Sequence, residues 1–150
     1  MDNNDILRRL RYILNYNDEQ VQAVLASVGE TVTKETIRMW LKREEDADFL
    51  FCPNQSVILF LDGIILKKRG PREGAPPRVE KLSNNLVLKK LKIAFSLQSD
   101  DVLQLLKNED FRLSKHELSA FFRSPSHKHY RVCLDQVLRN FLQGLANSPK

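Results

Sequence analysis

The chain has 150 residues and a mass of 17.4 kDa, enough for one ordinary domain or two very small ones, and its 42% apolar content can build a core, which excludes a disordered tail. Charged residues make up 29%, and 24 Lys and Arg against 19 Asp and Glu leave a net charge of +5, mild beside a dedicated nucleic-acid binder, so charge alone selects no partner. No run approaches the ~18 apolar residues of a membrane span, Met1 to Asp5 lacks the start of a signal peptide, and Cys52 and Cys133 are too few for a disulfide scaffold or a thiolate zinc site, so a cytoplasmic protein is expected.

The first predicted helix runs from Asn4 to about Asn15, where Ile6, Leu7, Leu10, Ile13 and Leu14 recur at spacings of three and four and form one apolar face. Asn17 followed by Gln20 is the pattern of a capping box, opening a second helix whose Val21, Val24, Leu25 and Val28 make a stripe before Gly29 ends it. Thr33 caps a third helix carrying Ile37, Trp40 and Leu41. A fourth starts near Pro53, well suited to a first turn, and runs through Val57, Phe60, Leu61 and Ile64 toward Gly70. The segment from Gly70 to Arg78 is rich in Pro and Gly and cannot continue a helix, so residues 70–83 are expected to be a linker.

After it the pattern returns. Asn3-Asn4-Asp5-Ile6-Leu7-Arg8-Arg9-Leu10-Arg11 is matched by Asn84-Asn85-Leu86-Val87-Leu88-Lys89-Lys90-Leu91-Lys92 at an offset of 81 residues, which also pairs Val21 with Val102, Lys34 with Lys115, Cys52 with Cys133 and Gly63 with Gly144. A gapless match through the loops means that both halves have the same element lengths. The expected fold is all-α: a tandem duplication, over residues 1–69 and 84–150, of a small four-helix unit with a helix-turn-helix-like core. Units of this size bury only ~60% of their unfolded surface, so the copies are expected to pack together.

Three groups of cations are candidates for phosphate contact. Helices two and three of the first copy, Asp18 to Gly29 and Thr33 to Arg43, have the lengths and short Gly-containing connection of a helix-turn-helix, which would place Lys34, Arg38 and Lys42 on the polar side of a reading helix; the second copy keeps Lys115 and Arg123 but has Ser119 for Arg38. The first helices carry Arg8, Arg9 and Arg11 in one copy and Lys89, Lys90 and Lys92 in the other, a charge kept while the residue type changed. The third group follows from uneven charge: residues 1–66 carry a net −4, residues 67–83 a net +4 and residues 84–150 a net +5. The contrast is sharpest between Arg43-Glu44-Glu45-Asp46-Ala47-Asp48 and the loop from Arg123 to Arg131, which holds His127, Lys128, His129 and Tyr130 and offers cations plus a ring for stacking on an unpaired base. For each group a solvated basic face is the competing explanation.

His127, His129 and Cys133 are metal-ligand types without a fourth ligand at a recognisable spacing, so no metal and no cofactor is expected. Cys52 and Cys133 fit small buried thiols. There is no phosphate-binding glycine loop, no His-Glu-x-x-His and no nucleophile elbow, and Asp62 in its apolar helix is expected to face solvent or cap a neighbour rather than do acid-base work, so no catalytic residue is assigned and a non-enzymatic protein is expected. The fourth helix of the first copy has a surplus apolar face at Ile58, Leu59 and Ile65, where the second copy has Arg139, Asn140 and Ala146. That face would be buried internally or would dock a partner.

The doubled Asn-Asn-x-x-Leu pattern, with Ile37-Arg38-Met39-Trp40-Leu41-Lys42, resembles the YehS-like family of uncharacterised bacterial proteins over nearly the whole chain. The resemblance implies a cytoplasmic protein with two copies of one domain and supplies no mechanism. The primary expectation is thus a nucleic-acid-associated protein, DNA or RNA, that makes phosphate contacts. The alternative is a protein-interaction adaptor or homodimer that uses the Ile58 face and the opposite charges of the two loops.

Overall fold

The computed structural model describes residues 1–71 and 80–149, so the linker expected over 70–83 lies largely outside the described residues. Eight α-helices account for all regular structure among the described residues, and the chain divides into two compact units at Leu82/Ser83. Unit one contains α1 (Asn3–Leu14), α2 (Asp18–Ser27), α3 (Lys34–Trp40) and α4 (Asn54–Arg69). Unit two repeats the order with α5 (Asn84–Ala94), α6 (Ser99–Asn108), α7 (Lys115–Phe121) and α8 (Asp135–Asn147). The all-α duplicated fold is therefore as the sequence indicated.

The helix starts follow from capping chemistry. Asn17 and Gln20 form the reciprocal box, with Asn17 Oδ1 accepting from the Gln20 N–H at 2.9 Å and Gln20 Oε1 from the Asn17 N–H at 2.8 Å. Ser114 and Glu117 do the same at α7. These bonds from Ser114 are the main cause holding the Glu117 carboxyl below its usual range, with Arg131 a lesser one. Pro53 sits one residue before α4 rather than inside its first turn, with extended backbone and its carbonyl accepting from the Val57 N–H at 3.2 Å.

The ends show the duplication in backbone geometry. Asn15 and Ser96, 81 residues apart, are both left-handed with φ of 55° after the first helix of each unit. Gly29 and Asp110 hold the matching left-handed position after the second, at φ 90° and 58°. The second helix thus stops at Ser27, two residues short of Gly29. The third is shorter than its expected span to Arg43: after Trp40 the chain folds back, the Leu50 N–H donating to the Met39 carbonyl at 3.2 Å and Asp46 Oδ2 accepting from the Arg43 N–H at 3.0 Å.

In each unit the second helix packs between the third and the fourth, and the first packs on the fourth. Leu7, Leu10, Val21, Leu25, Ile37, Phe60, Leu61 and Ile64 are buried in unit one, and Leu88, Leu91, Val102, Leu106, Leu118, Leu138, Phe141 and Leu142 in unit two. The second and fourth helices approach at a glycine. A Cβ on Gly63 would lie 2.6 Å from the Val24 carbonyl oxygen, and one on Gly144 would lie 2.7 Å from the Leu105 carbonyl oxygen, where Val24 and Leu105 are again equivalent positions.

Candidate nucleic-acid interface

The loop from Arg123 to Arg131 is held in place by the asparagine pair that opens α5. Asn85 is buried; its Nδ2 donates to the Phe121 carbonyl at 3.0 Å and the Arg131 carbonyl at 2.8 Å, while its Oδ1 accepts from the Cys133 N–H at 2.8 Å. Asn84 Nδ2 donates to the Cys133 carbonyl at 3.0 Å and to Asp135 Oδ1 at 2.7 Å. Asn3 and Asn4 make the same set of bonds to Trp40, Leu50, Cys52 and Asn54 in unit one. Both ends of each loop are thus tied to the start of the first helix by a side chain that uses both its donors and its acceptor. The spacing made this pair conspicuous as a repeat, but its structural role was not visible in sequence because its backbone partners are 36 to 49 residues away.

Within the loop, residues 124–129 are exposed, Arg123 and Tyr130 are half-buried, and Arg131 is exposed. The His129 N–H donates to His127 Nδ1 at 3.0 Å, and their rings lie 5.6 Å apart. Arg123 Nη1 donates to the His129 carbonyl at 3.4 Å, which keeps the two ends of the turn together. Lys128 forms no ion pair among the described residues.

The matching acidic loop of unit one is organised differently, because its cations are engaged. Lys42 Nζ reaches Asp48 Oδ2 at 2.6 Å, a hydrogen bond that holds the Asp48 carboxyl below its usual range. Lys34 Nζ is 2.8 Å from Glu19 Oε1 and lowers that carboxyl by the same kind of contact. Arg8 pairs with Asp5 and donates from Nη1 to the Lys42 carbonyl at 2.8 Å. Arg11 lies 3.5 Å from Asp18. Of the first-unit candidates, Arg38 is exposed and Arg9 half-buried, each outside these pairs, and Lys42 falls beyond the end of α3.

In unit two, Lys89 is exposed and Lys92 is half-buried with Nζ 5.5 Å from the centre of the Phe122 ring. Lys115 is 3.6 Å from Asp100, with both side chains highly exposed. Lys90 is a correction to the basic row on α5: it is buried at 8% exposure, because its place in the helix puts it on the packed side rather than the solvent side, and it leaves the set of accessible cations. Of the candidate cations in unit two, Lys89, Lys128 and Arg131 are exposed and in no ion pair among the described residues.

The remaining candidates also find places. Ile58 is buried, and Leu59 and Ile65 are half-buried. Cys52 and Cys133 are free thiols, buried, each pushed up to about 12, chiefly by desolvation and secondarily by the nearby Glu30 and Asp135 charges respectively. No helix among the described residues is long and apolar enough to cross a membrane.

Two four-helix units with one element order define a tandem-repeat helical protein. A family model described as a protein of unknown function (DUF1456) matches twice, over residues 3–70 and 84–150, and the chain belongs to that family. It is also similar to "Uncharacterized protein YehS" of Escherichia coli (strain K12), at 46% identity over 148 residues, which is 97% of this chain and 95% of that protein. No solved structure matches.

Proposed function

We propose that this chain is a non-enzymatic, cytoplasmic nucleic-acid-associated protein whose contacts to phosphate are made mainly by the second repeat. The observation that carries the reading is the Arg123–Arg131 loop: largely exposed, free of acidic residues, braced by Asn85, and bearing Lys128, Arg131 and the half-buried Tyr130. Cations on a braced loop lose little conformational entropy when a phosphate arrives, and an adjacent ring gives an unpaired base a stacking surface. The α2–α3 and α6–α7 pairs resemble a helix-turn-helix in order and spacing, and Arg38 and Lys115 are the positions from which such a pair would reach the backbone of a duplex.

The test is anisotropy binding of the full chain to labelled single-stranded RNA, single-stranded DNA and duplex DNA across a salt series. Affinity is expected to fall with salt by about 0.7 to 0.9 in log–log slope per neutralised phosphate. Lys128→Glu with Arg131→Glu should weaken binding at least about ten-fold, and unchanged binding would remove the loop from the interface. The alternative, an adaptor or homodimer, would use the face of Ile58, Leu59 and Ile65, of which Ile58 is buried and the other two half-buried.

A further inference from the structure

The duplication supplies an internal reference, because each position of the second repeat can be compared with the residue in the same fold position of the first. One departure outside the loop lies on the outer face of α6. There Asp100, Leu103, Gln104 and Lys107, spaced as one side of a helix, line an open groove of about 410 Å³ with Arg112 and Leu113 from the turn that follows. The equivalent residues of the first repeat are Glu19, Gln22, Ala23, Ala26, Thr31 and Val32. That copy has no cation at either of the two positions, and Gln22 Nε2 donates across the same place to the Val32 carbonyl at 2.8 Å. The second repeat replaces this bridge with Leu103 and brings in Lys107 and Arg112.

The two cations are fixed relative to each other through the backbone. The left-handed Asp110 lets its N–H donate to the Lys107 carbonyl at 2.9 Å, while the Phe111 N–H donates to the Leu106 carbonyl at 3.0 Å. Neither Lys107 nor Arg112 forms an ion pair or side-chain hydrogen bond among the described residues, and both are exposed. The acid at the rim, Asp100, lies 3.6 Å from Lys115, and Gln104 Nε2 donates to Asn108 Oδ1 at 2.8 Å.

We infer that this groove is a nucleotide-phosphate subsite: Arg112 and Lys107 engage one phosphate, and the half-buried Leu103 and Leu113 support the attached sugar and base. A planar guanidinium fork beside an ammonium point charge suits the several oxygens of a phosphate. The inference rests on the nucleic-acid reading for the source of that phosphate, a strand rather than a free nucleotide. The groove chemistry is the same for both.

The experiment combines two probes on the full chain, a labelled single-stranded oligonucleotide read by anisotropy and AMP read by amide chemical shifts, each with wild type and with Lys107→Ala/Arg112→Ala. Both substituted side chains are exposed, so the variant keeps the core. The expected result is at least a ten-fold loss of oligonucleotide affinity, a log–log salt slope smaller by about 0.7 for the one lost phosphate contact on a single strand, and AMP shifts confined to α6 and residues 109–113 that vanish in the variant. Oligonucleotide binding that is equal in wild type and variant, with the same slope, overturns the subsite and leaves the nucleic-acid reading standing. AMP shifts in the groove with no oligonucleotide binding at any salt overturn that reading and keep the groove as a site for free nucleotides. A wild type that responds to neither probe overturns both.

Discussion

Cys52 and Cys133 sit at the same point of the two repeats, immediately before the residue that precedes the last helix, and both are buried with their thiols raised to about 12. Burial favours the neutral thiol in the native state, whereas in the unfolded chain the same groups lose their protons near pH 9. Between these values the unfolded state binds fewer protons than the native one, so stability falls as pH rises from about 9 toward 12 and is insensitive to these groups below about 8. Urea midpoints measured from pH 7 to 10.5, for wild type and Cys52→Ala/Cys133→Ala, check this: the wild type should lose stability faster above pH 9. Parallel curves for the two proteins would show that the thiols contribute nothing to the alkaline loss. The sequence placed these residues correctly as buried thiols, because a lone cysteine at the same register in both copies has no partner with which to do chemistry. It gave no sign of the bonds that Asn4 and Asn85 make to the same two residues' N–H groups, since those need the loop to return to the first helix.

The helices are where local chemistry and tertiary packing divide most clearly. Caps at Asn17, Thr33 and Ser114 were legible because they involve residues three apart, and the structure contains each of them. Lengths were less so: α3 stops at Trp40 because the Leu50 N–H and the Asp46 carboxylate compete for the chain, and neither interaction is local enough to read from periodicity. The pairing of Gly63 with Gly144 was visible as a repeat, but its cause is an interhelical distance. Each glycine lets the fourth helix of its unit press against a backbone carbonyl of the second, so a methyl group there meets an atom that cannot rotate away. Gly144→Ala should therefore cost about 1–3 kcal/mol through forced separation of α6 and α8, in spite of alanine's better helix propensity. The midpoint of urea denaturation reads the loss, and a midpoint equal to or above wild type would show that the crossing has slack.

At the scale of the whole chain, duplication has produced two units with one architecture and different charge, a net −1 over residues 1–69 and +5 over residues 84–150. The residue count showed that contrast, but not that most candidate cations of the first repeat are held by acids of their own unit: Lys34 by Glu19, Lys42 by Asp48, Arg8 by Asp5 and Arg11 by Asp18. An engaged cation must give up its partner before it can neutralise a phosphate, and the released acid then repels the ligand. Solvent screening makes each surface pair weak by itself, so the asymmetry arises from several pairs acting against a locally negative field, felt within about 10 Å at 0.1 M salt. The two repeats should accordingly contribute unequally. Reversing two of the engaged first-repeat cations, Lys34→Glu with Lys42→Glu, should change oligonucleotide affinity by no more than about three-fold, while Lys128→Glu with Arg131→Glu changes the formal charge by the same amount and should cost at least about ten-fold. Because the two variants match in net charge, the comparison separates a localised interface from a general attraction to a basic protein. Equal losses in both would mean that the strand responds to total charge, and the assignment of contacts to the second repeat would then be wrong.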